Sequence, residues 1–351
     1  MKRLLRHASR LLPALLALGL LGWVLRSADV GRALGLVTSL SFRLPLLVLP
    51  HLAAILAETV GWRVSFARLG GRPRFRGLLA IRVMVDALML GLPSGSVMSE
   101  TLQPYLLKHR CGVTMEAGIV ATVARKFFVV VSHGLFLAFA TLLAWPILTV
   151  ASRTAIGRNG LPWLLVATSA VLVATALAGV VATAHGRVAD RVHRGLDHVG
   201  GRWIGSWLEH NALRFRRTDD ALATFFRVRP FSLALPVGLY ELGWLVRSIE
   251  TWLFLRLVGV TIPLPAAMVL ETALILVRAL AVPVPAGIGV QDAGYVLCLR
   301  ALGVPDATTV GAAFVLLKRG KDLFWILTGF LLLGFGRRGA TALAPLREGA
   351  A

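Results

Sequence analysis

The chain has 351 residues, of which 57% are hydrophobic and only 16% charged, against roughly a quarter charged in an average soluble domain. A mean hydropathy of +0.76 excludes a disordered chain and argues against a soluble globular one. The 38 Lys and Arg against 17 Asp and Glu leave a net charge of +21. This excess lies between long apolar stretches, as in the cytoplasmic loops of an inner-membrane protein, and does not indicate nucleic-acid binding. Cys111 and Cys298 stand far apart in apolar surroundings, which offers neither a disulfide framework nor metal-ligand spacing. No metal and no cofactor are expected, and residues 1–351 read as a single membrane domain.

A helix that spans a bilayer needs about 20 apolar residues. Eight segments reach or approach that length: Leu11–Leu25, Leu44–Ala67, Leu78–Leu92, Phe127–Val150, Leu161–Ala184, Phe231–Val258, Leu264–Val282 and Leu323–Phe335. The first follows Lys2, Arg3, Arg6 and Arg10 and carries no small-residue cleavage signal. It reads as an uncleaved helix with a cytoplasmic N-terminus. Arg68, Arg72, Arg74 and Arg76 then place the end of the second helix inside, and so does the basic loop 185–229 with nine arginines and five acidic residues. Three full crossings between these points would put the loop outside. The conflict disappears if Leu78 to Arg110 enters from the cytoplasm, breaks at Pro93-Ser94-Gly95 and returns to the same side. Non-helical backbone at that depth is tolerated where it lines a wet cavity or is buried in protein.

The same signature occurs twice. Pro93-Ser94-Gly95, Glu100, Gly112-Val113 and Arg125-Lys126 parallel Pro285-Ala286-Gly287, Asp292, Gly303-Val304 and Lys318-Arg319. The prolines are offset by 192 residues, and Glu58-Thr59 and Glu250-Thr251 fall on that same offset. An internal duplication follows, with repeat 1 over about 44–150 and repeat 2 over about 231–335. On the topology above the copies are inverted, a construction shared by many secondary transporters. The expected fold is an all-α polytopic membrane protein with about eight transmembrane helices and two Pro/Gly-broken re-entrant hairpins.

Ionisable residues inside apolar spans are costly and mark interior cavities. Arg82 and Asp86 share a helix face at i,i+4, as do Arg247 and Glu250 at i,i+3. Asp86 and Arg278 are equivalent positions of opposite charge, which suggests a bridge between the repeats. Glu100 and Asp292 sit two turns into the returning half-helices and suit a basic headgroup or a proton-coupling role. The half-helix N-termini, with Gly95, Gly287 and Gly289, suit an anion. Arg125, Lys126, Lys318 and Arg319 suit a lipid phosphate or mark the membrane boundary. Glu58, Glu241 and Glu271 have an interior location without an evident partner. In loop 185–229, His185, His193, His198 and His210 mix with arginines and with Trp203, Trp207 and Phe215, as in an amphipathic helix on anionic lipid. The chain carries no Walker A sequence, no Gly-x-Ser-x-Gly elbow and no His-Glu-x-x-His.

Pro285-Ala286-Gly287-Ile288-Gly289-Val290-Gln291-Asp292, Leu302-Gly303-Val304-Pro305 and Leu317-Lys318-Arg319 resemble the signature of the lysylphosphatidylglycerol synthase transmembrane region, or flippase-like domain, family. The Gly-Val-Gln-acidic form is most similar to the hopanoid-biosynthesis-associated inner-membrane members. Leu92-Pro93-Ser94-Gly95 through Glu100 resembles the family's first Gly-Gly-Glu region, with Ser99 in place of the second glycine, and Asp292 stands where the family usually has Glu. The resemblance implies a bacterial inner-membrane protein that transports or presents a lipid or lipid-linked intermediate. It does not imply aminoacyl-lipid synthesis, since that domain is not in this sequence. Expected partners are membrane lipids with an anionic or amphipathic headgroup and proteins of lipid biosynthesis or export. Two other readings stay open: an intramembrane lipid transferase, and a non-catalytic member of such a complex.

Overall fold

The computed structural model describes residues 19–20, 22–23, 26–71, 73–184, 216–227, 231–280, 284 and 287–342, and among these every regular element is helical. Helix α1 (Val30–Thr38) is capped by Asp29, whose carboxylate accepts from the Arg32 N–H. A 3-10 segment, Ser41–Val48, runs into α2 (Leu49–Phe66), whose first turn holds a proline that needs no N–H partner there. There follow α3 (Phe75–Gly91), α4 (Gly95–Cys111), α5 (Met115–Leu143), α6 (Trp145–Ile156), α7 (Leu161–Ala184) and α8 (residues 216–226). The last four are α9 (Phe231–Leu257), α10 (Leu264–Leu280), α11 (Val290–Ala301) and α12 (Ala307–Ala342).

Among the described residues, three stretches are long and apolar enough to cross a membrane: Pro45–Leu69, Met115–Leu143 and Leu161–Ala184. The expected Leu161–Ala184 helix coincides with α7. The expected Phe127–Val150 helix does not survive as one element. Thr114 caps α5 well upstream, its hydroxyl accepting from the Ala117 N–H. Downstream, the chain breaks at Ala144, where Pro146 enters the first turn of α6 and cannot continue the hydrogen-bond ladder. The short Leu323–Phe335 segment is part of the 36-residue α12. Its apolar run looked short because Lys318, Arg319 and Lys321 precede it on the same helix. Most of Leu11–Leu25 lies outside the described residues, as do the four loop histidines, Trp203, Trp207 and Phe215.

Helices α3 and α4 form an antiparallel hairpin. Gly77 faces Cys111 at its far end, and Gly95 faces Leu88 across the break. Ser94 adopts φ 54° to make that turn, and a Cβ at Gly95 would stand 2.3 Å from the Leu88 carbonyl oxygen. Glycine is the residue that fits there. Helices α10 and α11 also run antiparallel, with Gly294 on Leu274 and Gly287 on Arg278.

The centre of the molecule is the antiparallel pair α2 and α9. The Cβ position of Gly61 is 3.2 Å from Leu239 Cβ, that of Gly243 is 3.0 Å from Glu58, and His51 lies 4.0 Å from Glu250. Around this pair, α12 packs on α3 and α5 packs on α10. Leu222, Phe225 and Phe226 of α8 join Phe128 and Tyr240 in a core cluster, so this part of the basic loop lies against the bundle. On the flank, α7 seats Ser169 against Gly134, the hydroxyl donating to the Gly134 carbonyl at 2.5 Å.

A close helix contact sits at Gly329 of α12, where a Cβ would lie 2.3 Å from Ala87 Cβ and 2.7 Å from the Val83 carbonyl oxygen. Gly179 on α7 has open space at the same position. Gly329→Ala is therefore expected to cost about 1–3 kcal/mol and Gly179→Ala to be neutral or stabilising. Thermal unfolding in detergent, followed by monodispersity, compares the two.

Candidate functional site

Glu58 anchors the buried charge at the centre of the bundle. It projects from α2 between two arginines of other helices: Arg82 Nη2 donates to it at 2.7 Å and Arg247 Nη2 at 2.6 Å. Arg82 also donates to Asp86 one turn along α3, and Arg247 lies 3.4 Å from His51 Nδ1. Glu58, Arg82 and Asp86 are each less than a tenth exposed. Charges withdrawn from water this far persist only when paired with good geometry. Here each arginine fork reaches a carboxylate on one or two sides.

A second cluster lies on the α9, α10 and α12 side. Glu250 accepts from Lys321 Nζ at 2.7 Å and from Lys318 Nζ at 3.3 Å. Lys318 also donates to Glu271 at 2.9 Å, and Thr251 Oγ1 donates to the same carboxylate at 2.5 Å. The Tyr295 hydroxyl donates to Glu271 at 3.3 Å and accepts from Gln291. Asp292 caps α11 by accepting from the Gly289 N–H at 2.9 Å, and it accepts from Arg319 Nη2 at 2.5 Å. Asp322 completes the cluster against Arg319 and Lys321.

Between the two clusters opens a cavity of about 440 Å³. Its walls come from α2, α3, α4, α5, α9, α10 and α12, with Leu172 of α7 and the segment at Val284 and Gly287. Glu100 and Lys126 pair at its rim, where they are 35% and 52% exposed. Arg125 and Arg278 line the interior without a hydrogen bond or ion pair among the described residues, and the buried Arg125 Nε has no partner.

The residues singled out in the sequence thus converge on one region, though not in the expected pairs. Arg82 and Asp86 do pair along their helix. Arg247 and Glu250 do not: Arg247 turns to Glu58, and Glu250 to the α12 lysines. Asp86 and Arg278 line the same cavity, but Asp86 is bound to Arg82 and no ion pair joins it to Arg278. Glu100 pairs with Lys126 and Asp292 with Arg319. Gly95 and Gly287 are on the cavity wall, whereas the Gly289 N–H is occupied by Asp292. At the start of α4, the Gly95, Val97 and Met98 N–H groups bond to the Leu92 and Ser94 carbonyls. Positive charge in the cavity therefore comes chiefly from guanidiniums and ammoniums rather than from open backbone.

Sequence reasoning left Glu58 and Glu271 without partners and gave His51 and Lys321 no role. The signal that marks the first of these is the common offset of Glu58-Thr59 and Glu250-Thr251, since both carboxylates prove to be the hubs of their clusters. Neutralising Glu58 leaves Arg247 without a carboxylate in the interior and Arg82 with Asp86 alone. Glu58→Gln is expected to lose about 3–5 kcal/mol, against about 0–1 kcal/mol for Glu100→Gln at the rim. Melting temperatures of the two purified variants beside the parent check the difference.

A search of the curated proteins gives no match. The model of the family described as Lysylphosphatidylglycerol synthase TM region matches residues 10–329. That span takes in both charge clusters, both hairpins and nearly all of the described helices. Together with the apolar helices, it makes the protein an integral membrane protein related to lipid handling. The chain belongs to the lysylphosphatidylglycerol synthase transmembrane-region family.

Proposed function

We propose that the chain is a flippase-like protein of the bacterial inner membrane, with its N-terminus in the cytoplasm. In this reading it moves or presents a lipid or lipid-linked intermediate across the bilayer, holding the headgroup between its two helical hairpins. The observation that carries the reading is the charged cavity of about 440 Å³ between the hairpins, deep in a bundle whose outer faces are apolar. A polar chamber in such a bundle suits a headgroup, while the acyl chains stay outside in lipid.

The packing supports an inverted repeat. In the α2 and α9 pair, Glu58 faces Gly243 and His51 faces Glu250. An offset of 192 residues converts Glu58 into Glu250 and His51 into Gly243, so it exchanges one contact for the other. The α3 with α12 packing has its counterpart in α10 with α5 by the same offset. The 17-residue helices α3 and α4 each rise about 25 Å. That is short of the roughly 30 Å hydrocarbon core and suits re-entrant segments. Rocking of one repeat against the other would expose the cavity to each side in turn. The Gly-Val-Gln-acidic signature makes hopanoid-linked lipids the first cargo to try.

In proteoliposomes the protein is expected to speed the movement of fluorescent headgroup-labelled lipid from the inner to the outer leaflet, and Glu250→Gln is expected to abolish the gain. Single cysteines at Gly71, His109 and Gly200 should label from the cytoplasmic side, and those at Asn159 and Pro305 from the outside. Labelling of His109 from outside, or scrambling no faster than in protein-free vesicles, would overturn the reading.

A further inference from the structure

The charges around the cavity do not quite cancel. Glu58 and Asp86 are matched by Arg82 and Arg247, and Glu100 by Lys126. On the other side Glu250, Glu271, Asp292 and Asp322 face Lys318, Arg319 and Lys321, which is one cation too few. Against that shortfall stand Arg125 and Arg278, both on the cavity wall and neither bonded to any described residue. One positive charge is left over. Arg125 is only 7% exposed, and an unmatched cation at that depth costs several kcal/mol. Each guanidinium also carries five N–H donors that want acceptors.

The two arginines come from different repeats: Arg125 from α5, and Arg278 from α10, with its stem against Gly287. A ligand that satisfies both needs two diverging acceptor oxygens and one negative charge. A carboxylate holds its two oxygens in one plane and suits a single fork. The non-bridging oxygens of a phosphodiester diverge tetrahedrally and suit two forks. The N-terminus of α4, with Gly95 and Ser96 on the same wall, adds a positive dipole end. We infer that the cavity is a site for one mono-anionic phosphodiester headgroup, gripped by Arg125 and Arg278, and that it selects against zwitterionic headgroups. A zwitterion brings no net charge and leaves the surplus in place. This inference rests on the lipid-handling reading and names the class of headgroup for it.

The test is equilibrium binding to the full-length protein in non-ionic detergent, by calorimetry, with three probes. These are a short-chain phosphatidylglycerol, the phosphatidylcholine of the same chain length, and inorganic phosphate. Phosphatidylglycerol is expected to bind at least about ten-fold more tightly than phosphatidylcholine, and Arg125→Gln and Arg278→Gln are each expected to remove about ten-fold or more of that affinity. Phosphatidylcholine binding should not change. Because each substitution deletes an unmatched charge, the lipid-free variants are expected to melt no lower than the parent, and Arg278→Gln carries the test if Arg125→Gln does not fold. Equal affinity for the two lipids, or full phosphatidylglycerol affinity in both variants, overturns the site. Arginine-dependent binding of inorganic phosphate without binding of phosphatidylglycerol overturns the lipid as its source. Binding needs no turnover, so the two readings fail separately. Selective, arginine-dependent binding in a protein that does not scramble lipid refutes transport alone. Scrambling that ignores headgroup charge and both arginines refutes the anion site alone.

Discussion

The rest of the molecule is arranged around a carboxylate held by two arginines from two other helices. Glu58 ties α2 to α3 through Arg82 and to α9 through Arg247, in surroundings where an unpaired charge is very costly. Between lipid-immersed helices, burial of apolar surface gives little preference for one packing over another, because the lipid is as apolar as the side chains. Ion pairs and close glycine contacts supply the preference instead. Gly243 packs directly against the Glu58 side chain, so the two devices work at one place. A side chain at Gly243 would push α9 away from the carboxylate that Arg247 must reach.

The second cluster repeats this principle with different residues. Glu250 serves as hub, and Lys318 and Lys321 of α12 take the places that arginines hold around Glu58. Lysine donates from a compact ammonium and arginine from a planar fork. The two clusters are therefore alike in layout and unlike in chemistry. Neutral partners complete the second cluster, with Thr251 and Tyr295 both donating to Glu271.

Much of this was legible in the sequence. The apolar segments located α2, α7, α9 and α10 to within a few residues, because each is a nearly unbroken hydrophobic run. The Pro-Ser-Gly break marked where α3 ends. What the sequence concealed was the length of α5 and α12. Both helices are interrupted by cations, Arg125-Lys126 in α5 and Lys318, Arg319 and Lys321 in α12, which hydropathy alone treats as a boundary and which in α12 are drawn into ion pairs. The partners in the site were hidden for a related reason. Spacing at i,i+4 identifies neighbours on one helix, as for Arg82 and Asp86, but Arg247 preferred a carboxylate 189 residues away over Glu250 on its own helix. Such a choice is set by the packing of α2 on α9, which local periodicity does not encode.

That separation bears on how the protein is made. Helix α3 leaves the ribosome with Arg82 and Asp86 on one face, and α2 with Glu58, while Arg247 has still to be synthesised. At about 5–20 residues per second, the interval between Glu58 and Arg247 is on the order of 10–40 s. During that time the three charges have each other but not their final arrangement, since Glu58 lacks one of its two arginines. The first half of the chain must wait, with its charges shielded by water, by the insertion machinery or by tilting toward the headgroups. Completion of the centre is therefore a late event of biogenesis. A chain cut short before α9 would present the membrane quality-control system with an acidic residue that its own half cannot fully satisfy.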